Sequence, residues 1–99
     1  MGQNTTSQSL GTALSRMMRG FRHALSSEYI TSKEKEALAR GIDGALVLQC
    51  YAGRRYMLPR LSDQVYFDAF EMISDAWHDI RLARKAYRKV REREATQRK

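Results

Sequence analysis

The segment SDQVYFDAFEMISDAWHDIRLARKAYRKVREREATQRK, residues 62–99, reads as a single long helix with its charges sorted by sign along the axis. Its first half, residues 62–80, carries Asp63, Asp68, Glu71, Asp75 and Asp79 and no base. Its second half carries Arg81, Arg84, Lys85, Arg88, Lys89, Arg91, Arg93, Arg98 and Lys99 against Glu92 and Glu94. The net charge of that second half equals the formal +7 of the whole chain, so everything before residue 81 sums to zero. A helix polarised in this way suits anchoring at one end and presentation of the other end to something anionic.

Within the same segment, Tyr66, Phe70, Ile73, Trp77 and Ile80 alternate steps of four and three, the spacing of a narrow coiled-coil seam. The acids from Asp68 to Asp79 fall on the opposite face at 100° per residue. Past Ile80 the seam face continues as Arg81, Arg84, Arg88 and Arg91, with Lys85 and Lys89 beside it. That change predicts that the helix leaves the hydrophobic core at Ile80 and projects beyond it. Ser62 is placed to cap the helix, with Asp63 favourable in its first turn.

Working outward, Pro59 ends the preceding helix. Thr31-Ser32-Lys33-Glu34 has capping-box spacing and opens that helix, which is expected to run over about residues 32–58. Leu38, Ile42, Ala45, Gln49, Ala52 and Tyr56 line one of its faces, and Gly44, Val47 and Tyr51 another. Gly41 and Gly44 each cost about 1 kcal/mol in a helix interior relative to alanine. They read as room for a close neighbour, with a break at Gly41-Ile42-Asp43-Gly44 as the alternative. A first helix over about 9–27 shows Leu10, Ala13, Leu14, Met17, Met18, Phe21, Ala24 and Leu25 on one face.

The chain is thus expected to be all-α: a three-helix bundle with an extended basic C-terminal helix spanning about residues 62–95. Residues 1–8 and 96–99 are expected to be flexible ends of one domain, 9–95. Trp77, Phe70, Ile73, Leu46 and Phe21 are the expected core. With the first and third helices parallel, Arg16 and Arg19 are expected to face Asp75 and Asp79. Ninety-nine residues suit one small domain, and 42% hydrophobic content is too high for wholesale disorder.

Enzyme chemistry finds no support. His23, His78 and the single Cys50 have no metal-ligand spacing, and neither a cofactor motif nor a phosphate loop is present. Cys50 reads as a small buried or half-buried hydrophobe, and His78 as a surface or rim residue. One unpaired cysteine points to a reducing intracellular compartment, cytoplasm or nucleoid/nucleus. The acid-free stretch before Glu28 also resembles a mitochondrial transit segment.

The functional expectation is a non-enzymatic binding module. Its preferred partner is nucleic-acid backbone, contacted by Arg81, Arg84, Lys85, Arg88, Lys89 and Arg91. Tyr87 is the tail's only aromatic, which argues against base stacking. An acidic protein surface, on a larger assembly in which this chain is a structural or inhibitory subunit, is the competing partner. Seam residues left exposed would favour it. A third reading takes Gly2 in MGQNTT as a myristoylation site and the first helix as a membrane-surface element. Antiparallel pairing of the polarised helix is compatible with a homodimer, and pairing of its acids with Arg16 and Arg19 within one chain is the alternative.

Overall fold

The computed structural model describes residues 6–52 and 63–97. It is all-helical: α1 spans Thr6–Leu25, α2 Ser32–Ala52 and α3 Asp63–Gln97. The sequence expectations for Gly2, Tyr56, Pro59 and Ser62 lie outside the described residues, as do those for the side chains of Leu10, Tyr51, Ala52 and Tyr66. Helix α1 begins within the stretch expected to be flexible, and α3 continues through Thr96, whose hydroxyl donates to the Glu92 carbonyl at 2.9 Å.

The end of α1 and the start of α2 have local causes. The C-terminus of α1 carries Arg22 and His23, favourable near exposed carbonyls. The Ser26 hydroxyl and N–H both donate to the His23 carbonyl, and the Ser27 N–H to Ala24. At the start of α2 the capping box forms as read: Glu34 N–H donates to Thr31 Oγ1 at 3.2 Å, and Thr31 N–H to Glu34 Oε1 at 3.1 Å.

Helix α2 packs most extensively on α3, less on α1, and α1 touches α3 only sparsely. The α2–α3 contact explains both glycines. A Cβ on Gly44 would sit 2.7 Å from the Ala76 carbonyl oxygen, and one on Gly41 would overlap the Ala83 Cβ. No break occurs between them; α2 is continuous. Two backbones that approach this closely leave space on α3 only for small side chains.

That space fixes which face of α3 turns inward. Ala69, Ala76, Ala83 and Val90 recur every seven residues and are buried; Ile73, Ile80 and Tyr87 recur at the alternate positions and are buried or half-buried. This is a heptad seam running nearly the length of the helix. It is one step removed from the seam expected from the large side chains. Phe70 and Trp77 are 60% and 41% exposed, and Leu46 on α2 is 47% exposed, so these three lie outside the core. Phe21 is buried as expected, and Ile73 is half-buried.

The core has two parts. Leu14, Met18, Ala45, Leu48, Ala76 and Ile80 form one; Phe21, Ala24, Leu38, Ala83, Ala86 and Val90 form the other. The second lies beneath the basic half of α3. That half therefore does not project past the bundle, because the alanine seam continues through it. Gln49 adds a polar tie between α1 and α2, donating to Ser15 Oγ at 2.9 Å and to the Gly11 carbonyl at 3.3 Å. Cys50, expected buried or half-buried, is exposed.

Candidate nucleic-acid interface

The inward alanine seam determines where the basic side chains go. With Ala83, Ala86 and Val90 turned to the core, Arg81, Arg84, Lys85, Arg88, Lys89 and Arg91 are all exposed. At 100° per residue, Phe70, Trp77, Arg81, Arg84 and Arg88 lie within an arc of about 60° on α3. The stripe read as an extension of the seam is thus a continuous outward ribbon, aromatic toward one end and arginine toward the other.

The six cations do not act as one set. Arg84 leans toward α1 and shares a shallow groove with Arg16, Met17, Gly20, Phe21 and Tyr87. Lys85 and Lys89 lean the other way, into an α2–α3 groove of mixed charge, lined also by Lys33 and Arg40 and by the carboxylates Glu34, Glu36 and Asp79. Arg91 is held by its neighbours: its guanidinium carbon lies 6.0 Å from the Tyr87 ring centroid, and its Nη1 lies 3.5 Å from Glu94 Oε1. Tyr87 in turn packs tilted against buried Phe21, with centroids 6.1 Å apart. A chain of contacts thus runs from the core through Tyr87 to Arg91.

Arg16 belongs to this surface, which charge counting along the chain did not reveal. It stands against Arg84 because α1 and the basic half of α3 lie side by side. Arg16 and Arg19 make no ion pair with Asp75 or Asp79 among the described residues. Asp79 lines the α2 groove, on the far side of α3 from Arg16. Helix α1 contains no acid, and its Arg16, Arg19 and Arg22 are all exposed.

Arg93 is the exception among the bases. Its Nη1 donates to Glu34 Oε1 at 2.5 Å and its Nη2 to Glu34 Oε2 at 2.7 Å, a bidentate pair. Nη1 also donates to the Tyr29 carbonyl at 2.9 Å. Hydrogen bonding from Arg93 dominates the Glu34 environment. Against the opposing effect of burial, and with help from the Thr31 N–H, it lowers the carboxyl from 4.5 to about 2. This anchor clamps the end of α3 to the start of α2 and keeps the exposed bases on a supported helix.

His23 and His78 are exposed, and among the described residues no cluster of three or more His, Cys, Asp or Glu side chains is placed to hold a metal. No described helix is long and apolar enough to cross a membrane. Compared with known proteins, the chain matches no family, no curated sequence and no solved structure.

Proposed function

We propose that the protein is a non-enzymatic helical binding module that docks on nucleic-acid backbone through the basic face of α3, extended by α1. The observation that carries this reading is the exposure of Arg81, Arg84, Lys85, Arg88 and Lys89 without an acidic partner among the described residues. Arg16 stands beside Arg84 on the neighbouring helix and widens that face. Arginine offers a planar fork matched to phosphate oxygens, and backbone contacts of this kind carry no base sequence.

The test is a salt titration of binding to a generic DNA duplex. Contact with about four to six phosphates gives a slope of log affinity against log salt of roughly −4 to −5. Changing Arg81, Arg84 and Arg88 together to glutamine should lower the magnitude by about three units. An unchanged slope would remove this face as the contact surface. The exposure of Phe70 and Trp77 favours a protein partner as the second reading. Absence of duplex or single-strand binding at low salt would move the reading there.

A further inference from the structure

The aromatic end of the ribbon is the feature that backbone contact leaves unused. Phe70 and Trp77 are 60% and 41% exposed, yet each lies in line with Arg81, Arg84 and Arg88 along α3. From Phe70 to Arg88 this line, completed by Ser74, contains no carboxylate. The acids Glu71, Asp75 and Asp79 sit on other faces, toward solvent or the α2 groove. Two exposed rings continuous with a row of guanidinium groups match the two chemical parts of an unpaired nucleotide strand. Bases have apolar faces that stack on aromatic rings, and phosphates pair with arginine.

Resting on the nucleic-acid reading above, we propose that this ribbon binds single-stranded nucleic acid. Bases stack on Trp77 and Phe70, and Arg81, Arg84 and Arg88 hold the adjoining phosphates. The rings stand seven residues apart, about 10 Å along the helix axis. A duplex keeps its base faces hidden within the stack and can use only the arginine end. The ribbon therefore distinguishes unpaired from paired strands, although neither end reads sequence. What favours this occupant is the continuity of the rings with the arginine row, because an unpaired strand carries on one chain both base faces for Trp77 and Phe70 and phosphates for Arg81, Arg84 and Arg88.

Trp77 is the only tryptophan in the chain, so its emission reports directly on this site. The full chain is titrated with a twenty-nucleotide oligo-dT, the equivalent oligo-rU and a twenty-base-pair duplex, with affinities read in parallel from labelled strands. The expected result is quenching of Trp77 by either single strand and little change with the duplex. Trp77→Ala should weaken single-strand binding at least about fivefold and leave duplex affinity unchanged. Trp77→Phe should retain most of the affinity, which separates stacking from a fold defect; far-ultraviolet circular dichroism checks that each variant is helical.

Duplex binding with no quenching by single strands, and equal affinities for Trp77→Ala and the parent, would overturn the single-strand inference while leaving the backbone reading intact. Failure of all three nucleic acids to bind at low salt would overturn both. A concentration-dependent dimer abolished by Phe70→Ser, or Trp77 quenching only by anionic lipid vesicles, would assign the aromatic end to a second copy or to a membrane surface and overturn the inference. Oligo-dT and oligo-rU together distinguish a DNA from an RNA strand as the source.

Discussion

Glu34 and Arg93 form a two-point bridge between the first turn of α2 and the last turns of α3, with Glu34 also closing its own capping box. The same carboxylate thus fixes a helix start and a helix–helix contact. Its residual exposure is 8%, and no buried polar side-chain atom among the described residues lacks a partner.

The pH dependence of stability follows from that bridge. The Glu34 carboxyl titrates at about 2 in the folded chain, below its ordinary 4.5. A group with a lowered folded value contributes fully above its unfolded value. Its contribution is lost as pH falls from about 4.5 toward 2. Thermal unfolding should show a falling midpoint over that interval, and Glu34→Gln should flatten the decline while lowering the midpoint at pH 7. An equally steep acid decline in the variant would show that the bridge does not govern it.

Substitution of Phe70 should separate the two candidate seams on α3, with Ile80, common to both, as the reference. Ile80 is 2% exposed, so Ile80→Ala should cost about 2–5 kcal/mol by denaturant unfolding. Phe70 is 60% exposed, and Phe70→Ala should stay within about 0.5 kcal/mol. If Phe70→Ala cost as much as Ile80→Ala, the inward face would be the one defined by the large aromatic side chains.

The glycines of α2 should respond against helix propensity. Gly→Ala in an exposed helix interior gains about 1 kcal/mol. At Gly44 the new Cβ would press on the Ala76 carbonyl oxygen, which belongs to backbone and cannot swing away. Gly44→Ala should therefore destabilise by about 1–3 kcal/mol, as overpacking does. A gain in stability would mean that α2 and α3 are not in close contact there.

These two predictions mark where the sequence was readable and where it was not. The helices, the Thr31–Glu34 box and the close approach at Gly41 and Gly44 follow from local rules: periodicity, capping chemistry and the cost of glycine. The inward face of α3 does not follow from local rules, because Phe70, Trp77 and Ala76 all fit a helical period. Hydrophobicity ranks the aromatics first, whereas the close approach of α2 at Gly41 and Gly44 leaves room only for alanine at positions 76 and 83. The seven-residue recurrence of Ala69, Ala76, Ala83 and Val90, set against Gly41 and Gly44, was the available signal. The Glu34–Arg93 bridge joins residues far apart in sequence and had no local signature. For the candidate site, the exposed cations were legible from charge, while the position of Arg16 depended on which face of α3 met α1.

Arg16 provides the last test, because it separates a face built by two helices from a stripe on one. Arg16 and Arg84 line the same groove and are both exposed. If a phosphate strand runs along that groove, each guanidinium displaces about one counterion, and each single change to glutamine should lower the salt slope by about 0.9. The double change should lower it by about the sum, since backbone contacts at separate phosphates are independent. Both positions are solvent-facing, so the melting temperature should hold within a few degrees. Arg22, exposed on α1 but absent from the groove lining, serves as the charge-matched control, and Arg22→Gln should change the slope less than Arg16→Gln. Equal effects at Arg16 and Arg22 would mean that only net charge matters and that the groove does not guide the strand. No effect at Arg16, with a full effect at Arg84, would confine the contact surface to α3.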